Sequence, residues 1–329
     1  LPICTVAEAK QGLSTTDNNL FLRFWQEVDW VRIGFGLGNC EEAYNSGKKW
    51  FPYNKGGEFR KWYGNKDYVV NWEKDGQEIK MNILNKYPYL KTPDFVAKNT
   101  NYYFLEGITW SALSSSGISM RTYDKGMIFA DKGQGLFPLI SEDKDSILGL
   151  MNSKVTDSFL KIISPTLDFH SGYILKIPFI KTEKKNIVNL LISISKSDWD
   201  SYETSWEFNQ NPIIRTNQSN LEQAFNTWQQ QNADAVAEMK RLEEENNKLF
   251  IDAYGLQDEL TPEVPDAQIT LTRADREKDS QRLVSYALGC MMGRYSLDES
   301  GLIYAHAGNQ DFDASRYQKF PADADGIIP

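Results

Sequence analysis

Histidine and cysteine are scarce in this sequence, which limits the chemistry that the chain can perform. Only 2 histidines and 3 cysteines occur among 329 residues. Cys4, Cys40 and Cys290 are odd in number and far apart, which fits a reducing compartment better than a disulfide framework. His170 and His306 have no partners at metal-ligand spacing, so we predict no metal site.

Long apolar runs are also missing. Each apolar stretch is interrupted by a charge or a proline well before the ~18 residues that a membrane helix needs. The N-terminal LPICTVAEAKQG lacks the basic and apolar parts of a signal peptide, and it lacks an initiator Met. We therefore expect a cytoplasmic fragment or processed chain with no membrane partner.

Catalytic signatures are absent as well. The sequence contains no phosphate-binding Gly-x4-Gly-Lys-Ser/Thr, and the GFGLG run at 34–38 lacks the spacing of a dinucleotide fingerprint. His170 lies in a predicted loop, where a single histidine is more often a hydrogen-bonding surface residue than a base. We predict no catalytic residue in this chain.

The charges that are present are unevenly distributed. The net charge is −9, but residues 31–185 carry 22 basic and 17 acidic side chains, whereas residues 186–329 carry 12 and 24. Within the basic block, residues 50–72 interleave eight aromatic residues with lysine and arginine. Aromatic faces stack on bases and cations neutralise phosphates, which favours binding of DNA or RNA. The same aromatic residues could instead form the core of a small β domain, or bind carbohydrate or protein.

Hydrophobic periodicity predicts a mixed fold with helices following a β-rich centre. Phe59–Tyr63 and Tyr68–Trp72 flank Gly64-Asn65 and predict a β-hairpin. Other patterns predict helices over 13–33 and 145–163, strands at 108–113, 118–123 and 127–130, and an extended segment at 173–177.

The strongest structural signal is a long helix over residues 219–254. Ser219 and Glu222 form a capping-box pattern, and apolar residues then follow at alternating spacings of four and three. Asn232 and Asn246 fall on this seam, which is typical of a coiled coil whose register is fixed by polar residues. We expect the helix to pack antiparallel on another helix, and a second helix to start at Thr272-x-x-Asp275.

Five motifs, in order along the chain, resemble the region after the catalytic domain of BREX-type (PglX) adenine-specific DNA methyltransferases. The most specific is WFPYNKGGEFRKWYGN at Trp50–Asn65, and related single-chain restriction-modification enzymes share its build. The other four motifs lie at Gly12–Arg23, Gly107–Ser111, Leu148–Phe169 and Gly289–Ser296.

The resemblance implies that the chain is the target-recognition part of such an enzyme in a phage-defence system. It implies double-stranded DNA and the methyltransferase domain as partners, and S-adenosylmethionine as a cofactor of the full-length protein. The sequence itself has no Asn-Pro-Pro-Tyr and no glycine motif for that cofactor. We therefore expect this segment to select the asymmetric site at which the catalytic domain methylates adenine N6.

The expected architecture is α+β: a mixed target-recognition domain with β-hairpins, a helical spacer like those of type I specificity subunits, and a small helical C-terminal region. We assign residues 1–48 to an entry helix and linker, 49–185 to target recognition, 186–260 to the spacer and 261–329 to the C-terminal region. Arg60, Arg121 and Gln134 are predicted to read bases, and the lysines to hold phosphates. The predicted DNA contacts are Lys55, Arg60, Lys61, Tyr63, Ser114, Ser115, Ser116, Arg121, Lys132, Gln134, His170 and Lys176.

A second hypothesis treats the chain as a protein-interaction scaffold. The acidic helical half would then dock other defence-system proteins, or an inhibitor that mimics DNA would occupy the basic block. A third, that the segment is itself an enzyme, has no motif to support it.

Overall fold

The chain forms two compact units, which are described separately. The computed structural model describes residues 1–164, 168–182, 185–305 and 311–323. One unit comprises Leu1–Ser195 and Lys240–Thr270, and the other comprises Lys196–Met239 and Leu271–Pro329. His306 and residues 165–167 of the Leu148–Phe169 motif lie outside the described residues. The four-part division drawn from the sequence stays a prediction about the roles of these segments.

The strands of the first unit form two four-stranded sheets. The first sheet has the order β1-β8-β5-β6 and is antiparallel throughout. The second has the order β2-β4-β3-β7, in which β3 and β7 are parallel. The strands are β1 (Ala7–Lys10), β2 (Leu22–Phe24), β3 (Trp50–Asn54), β4 (Tyr68–Asn71), β5 (Gly107–Ser111), β6 (Met120–Tyr123), β7 (Ile128–Phe129) and β8 (Gly133–Pro138).

Helices surround the sheets and make up most of the second half, so the predicted α+β class is confirmed. The helix α4 packs against β5 and β6, and α3 packs against β4. The helices are α1 (Asn18–Phe21), α2 (Cys40–Asn45), α3 (Glu73–Lys86), α4 (Lys144–Met151), α5 (Lys154–Ile163), α6 (Ser171–Ile174), α7 (Lys185–Trp199), α8 (Pro212–Arg215), α9 (Leu221–Tyr254) and α10 (Arg276–Met291).

The core of the first unit lies on the first sheet. All residues of β5 and β6 are buried, and these include the polar Thr109, Arg121 and Thr122. Trp110 is completely buried, and its indole N–H donates to the Phe169 carbonyl at 2.8 Å. The strands predicted near residues 108, 118 and 127 are confirmed as β5, β6 and β7.

The hairpin predicted around Gly64-Asn65 is wrong. The antiparallel partner of β4 is β3, and the connecting residues 55–67 form a long loop. Within that loop Trp62 and Asn65 have positive φ values of 71° and 57°, which a regular strand does not allow. The aromatic and polar residues of this segment therefore gave a strand-like pattern, although the segment forms a loop.

The helix predicted over residues 13–33 is also wrong. The only α-helix within this segment is α1. The Asp17 carboxylate caps it by accepting the Leu20 N–H at 3.1 Å. The chain then enters β2, where Leu22 pairs with Val70 of β4. Leucine and phenylalanine suit a helix or a strand, and pairing with β4 decides between them.

The helix predicted over residues 145–163 is interrupted at Asn152 and Ser153. The Asn152 amide accepts the Met120 N–H at 2.8 Å and donates to the Met120 carbonyl at 2.9 Å. A side chain thus pairs with the edge of β6 and separates α4 from α5.

The extended segment predicted at 173–177 is wrong. Residues Ser171–Ile174 form α6, and the Tyr173 and Leu175 N–H groups bond back to His170 and Ser171. Tyrosine and isoleucine favour strands, but too few residues alternate here to outweigh a turn of helix.

The long helix predicted over residues 219–254 is confirmed as α9. Its cap is Asn220, whose side-chain oxygen accepts the Glu222 and Gln223 N–H groups, rather than the predicted Ser219. Asn246 on the seam donates to the Gly149 carbonyl of α4 at 3.0 Å. At this position the seam contacts the backbone of α4, and coiled-coil pairing of α9 stays a prediction.

The second unit has an aromatic core around α10. Phe208, Tyr286, Cys290 and Tyr295 are buried together, and the Tyr286 and Tyr295 rings are stacked with centroids 5.3 Å apart. The predicted second helix is confirmed as α10, but its cap is Asp275, whose carboxylate accepts the Glu277 and Lys278 N–H groups, rather than Thr272. Burial raises the pKa of the Cys290 thiol, as expected of a cysteine that serves as core.

Candidate nucleic-acid interface

A polar cleft of about 350 Å³ lies in the first unit where three segments meet. These segments are the residues before α1, the end of β3, and the connection from β7 to β8. We call it the lysine cleft, because Lys55 and Lys132 both line it. Its lining residues are Ser14, Thr15, Thr16, Asn18, Tyr53, Lys55, Ala130, Asp131 and Lys132.

The N-terminal wall of the lysine cleft is fixed by backbone hydrogen bonds. The Leu13 N–H donates to the Phe129 carbonyl at 2.9 Å, and the Ser14 N–H donates to the Val96 carbonyl at 3.1 Å. Gly12 approaches so closely that a Cβ there would lie 1.9 Å from the Phe129 oxygen. The first motif therefore places its serine and threonine hydroxyls on a rigid wall.

The two lysines are held on one side by a close backbone approach. A Cβ at Gly133 would lie 2.4 Å from the Asn54 carbonyl oxygen and 2.5 Å from the Gly56 nitrogen, so only glycine fits. Because Gly133 follows Lys132 and Asn54 precedes Lys55, this contact brings the two lysines to the same cleft.

The lining of the lysine cleft combines two cations with one carboxylate. Lys55, Lys132 and Asp131 are its charged lining residues, and the Ser14 hydroxyl adds a neutral donor. The Tyr53 hydroxyl donates to the Leu13 carbonyl at 2.8 Å, and burial together with the Asp131 charge raises the pKa of Tyr53. Tyr53 is therefore a neutral wall residue, and the cleft can hold an anion such as a phosphate through its lysines.

Five of the predicted DNA contacts are instead buried inside the first unit. Each is at most 9% exposed, and they are Arg60, Lys61, Tyr63, Arg121 and Gln134. The Arg60 guanidinium donates to the carbonyls of Tyr63 at 2.7 Å and Ser195 at 3.1 Å. These side chains are buried within the first unit. Their contact with DNA stays a prediction, and it requires them to leave their present surroundings.

Arg121 is the most enclosed of the predicted base readers. Its guanidinium is completely buried and donates to the Arg60 carbonyl at 2.9 Å and the Ser111 hydroxyl at 3.4 Å. Burial, with a smaller contribution from the Arg60 charge, lowers the pKa of Arg121 to about 9. Gln134 is also buried, and its amide donates to the Asp131 carbonyl at 3.3 Å.

The remaining predicted contacts lie on the surface of the first unit in two places. His170 and Lys176 flank the Tyr173 ring, and the His170 imidazole lies 3.1 Å from the Asp168 carboxylate. The serine loop, residues 114–116, lies beside the exposed Leu113. Neither group lines the lysine cleft, so the structure brings together Lys55 and Lys132 but not the twelve residues as one surface.

Two stacked aromatic residues, the exposed Phe24 and the half-buried Tyr68, form a surface beside Lys55. Phe24 and Tyr68 stack with their centroids 4.6 Å apart, and the Lys55 ammonium lies 4.3 Å from the Tyr68 centroid. Phe24 belongs to the segment 13–33 that was predicted as a helix. Its exposure follows from its place on β2 at the edge of a sheet, which the sequence pattern did not indicate.

The described ranges contain neither a metal-binding cluster nor a membrane-spanning helix. Among the described residues, no three histidine, cysteine, aspartate or glutamate side chains are grouped so as to hold a metal ion. No helix in that part of the chain has the length and apolar character needed to cross a membrane.

Comparison with known proteins identifies the chain. No family model matches it. It is 41% identical to the adenine-specific methyltransferase PglX of Lacticaseibacillus casei (strain Zhang) and 33% identical to the adenine-specific methyltransferase BrxX of Escherichia coli O9:H4 (strain HS). Each match covers 98% of this chain and 27% of the relative, so the chain spans about a quarter of their length.

Among solved structures, the chain is similar to the Type IIL restriction-modification enzyme MmeI in complex with DNA. That match has 15% identity and a TM-score of 0.46, and it covers 86% of this chain and 36% of MmeI. The two curated matches extend through the motifs, the lysine cleft and both compact units. The chain therefore belongs, as a segment, to the BREX-type family of adenine-specific methyltransferases that includes PglX and BrxX.

Proposed function

We propose that this segment binds the target DNA of an adenine-specific methyltransferase, and that the lysine cleft holds its phosphate backbone. A catalytic domain elsewhere in the longer protein would methylate adenine N6 with S-adenosylmethionine. No residue of this segment is assigned to that cofactor, because the sequence has neither its glycine motif nor Asn-Pro-Pro-Tyr.

The observation that carries the proposal is the convergence of Lys55 and Lys132 on one cleft with fixed walls. Lysine side chains bind phosphates as point charges, and a hydroxyl such as that of Ser14 donates to phosphate oxygens without reading sequence. The family of the relatives supports DNA as the polyanion. Sequence selection would then come from neighbouring exposed loops, among which the serine loop stays a candidate.

The test is the salt dependence of duplex binding by the whole chain. Fluorescence anisotropy with a labelled mixed-sequence duplex would be measured for wild type, Lys55→Ala, Lys132→Ala and the double variant. Each lost phosphate contact should reduce the slope of log affinity against log salt by about 0.9. The double variant should therefore lose about two units of slope.

A matched control separates the cleft from general charge. Lys248→Ala on α9 removes the same charge from an exposed residue that does not line the cleft. Equal effects of Lys248→Ala and Lys55→Ala would contradict the cleft. Wild-type binding that is absent, or insensitive to salt, would contradict DNA binding and favour the protein-scaffold hypothesis.

A further inference from the structure

A stack of two rings, the exposed Phe24 and the half-buried Tyr68, adjoins Lys55 of the lysine cleft. Phe24 on the edge strand β2 and Tyr68 on β4 are partners in register, and their rings are nearly parallel, at an interplanar angle of 25°. Phe24 remains 43% exposed, so part of its ring is uncovered by the fold. A flat apolar surface is thus presented at the edge of the second sheet.

Lys55 links this stack to the cleft. Its ammonium lies 4.3 Å from the Tyr68 centroid, a cation–π distance, and the same side chain lines the lysine cleft with Lys132. Phe24 thus contacts Tyr68, Tyr68 contacts Lys55, and Lys132 lines the same cleft as Lys55. We call these four residues the ring–lysine track.

Three carboxyl groups, those of Glu27, Asp67 and Asp131, lie near the ring–lysine track. The Glu27 carboxylate accepts the Phe24 N–H at 2.7 Å, which ties it to the backbone of the ring residue. The pKa of the Asp67 carboxyl is raised to about 6 by burial, against the lowering effect of Arg60. Asp131 lies among the lining residues of the cleft. The ring end of the track therefore suits a neutral group, and the lysine end suits an anion.

We propose that the ring–lysine track binds an unpaired nucleotide of DNA, with the base on the Phe24 ring and the flanking phosphates on Lys55 and Lys132. This inference rests on the proposed DNA binding and adds the state of the DNA that the segment prefers. Aromatic side chains alternating with cations are the elements by which proteins bind single strands, and base stacking on them tolerates any sequence.

The track distinguishes unpaired from paired DNA for a physical reason. Bases within a duplex already stack on their neighbours, so they offer no free face to Phe24, whereas the phosphates of either form can reach the lysines. The stack on Tyr68 holds the Phe24 ring in one orientation, which reduces the entropy lost on binding. DNA with an unpaired base should therefore bind more tightly than the matched duplex.

The experiment compares a perfect duplex with the same duplex carrying one central unpaired 2-aminopurine. Anisotropy gives affinity, and 2-aminopurine fluorescence reports stacking of the unpaired base. Wild type should bind the bulged DNA about tenfold more tightly than the perfect duplex and quench the probe. Phe24→Ala should remove this preference and the quenching while leaving affinity for the perfect duplex within about twofold.

Two further variants keep the outcome interpretable. Phe24→Trp should retain the preference, and Tyr44→Ala should change nothing, since Tyr44 on α2 is exposed but not part of the track. Tight binding to both DNAs without a preference would overturn this inference and leave the proposed function intact. A preference that persists in Phe24→Ala would also overturn it, because the base would then stack elsewhere. Absence of binding to either DNA would overturn both proposals.

Discussion

The Lys61 ammonium donates to the Glu243 carboxylate at 2.9 Å, and both side chains are almost completely buried, at 9% and 2% exposure. The second oxygen of Glu243 accepts the indole N–H of Trp62 at 2.8 Å. Two adjacent residues of the most specific motif are thus bonded to α9, far away in sequence. The motif attaches the 55–67 loop to the long helix within the first unit.

Removing the carboxylate of Glu243 should destabilise the chain strongly. Glu243→Ala leaves a buried ammonium on Lys61 and a buried indole N–H on Trp62 without partners, which should cost about 3–5 kcal/mol in the free energy of unfolding. Urea denaturation at pH 7 measures this loss.

Charge removal at Lys61 should recover part of that stability. Lys61→Met in the Glu243→Ala background eliminates the unpaired buried charge, so the double variant should be more stable than Glu243→Ala alone. Glu245→Ala, which removes the carboxylate of a solvent-accessible pair with Arg241, is the control and should change stability by less than about 1 kcal/mol. A double variant less stable than Glu243→Ala would contradict a buried ion pair.

Much of the helical structure could be predicted because its signals are local. The period of α9 and the cap of Asp275 at α10 depend on residues close in sequence. The break at Asn152 could not be predicted, since its partner Met120 is distant in the chain. Likewise β4 pairs with β3 rather than with its adjacent segment, because the loop between them is held by other contacts.

The candidate site was predictable only in composition. Lys55 and Lys132 were identified as phosphate contacts, and both line the lysine cleft. Arg121 was predicted to read bases, yet every residue of its strand is buried. Whether a cation in an aromatic-rich block points outward or inward depends on packing on both faces of the sheet, which alternation in one sequence does not encode.

Neutralising Asp131 should strengthen DNA binding. Asp131 is the carboxylate among the lining residues of the lysine cleft and repels phosphate, so Asp131→Asn should raise duplex affinity several-fold at low salt. The increase should shrink as salt rises, since screening weakens the repulsion. Anisotropy titrations at two salt concentrations test this, with exposed Asp252→Asn as a control of equal charge. Unchanged affinity in Asp131→Asn would argue against phosphate in the cleft.

The carboxyl of Asp67 should make stability depend on pH. Burial raises its pKa to about 6 in the folded chain, above the ordinary aspartate value of 3.8. The folded state therefore holds this proton more tightly than the unfolded state, and the favourable contribution is lost as pH rises from about 4 to about 6. Asp67→Asn should stabilise the chain by about 1 kcal/mol at pH 7.5 after allowing for solvent screening, and by nothing below pH 4. Denaturation at both pH values measures it, and a gain equal at the two would contradict the raised pKa.

The close approach at Gly133 should be essential to the lysine cleft. An added Cβ would meet the Asn54 oxygen and the Gly56 nitrogen at 2.4 and 2.5 Å, and backbone atoms in two paired segments cannot move aside easily. Gly133→Ala should therefore lower the free energy of unfolding by about 1–3 kcal/mol and weaken DNA binding by moving Lys132 away from Lys55. Gly172→Ala is the matched control, because a Cβ there meets nothing within 4 Å and the residue lies in α6, where alanine is favoured. Equal stability of the two variants in urea would show that β8 can shift, and the cleft would then not depend on this contact.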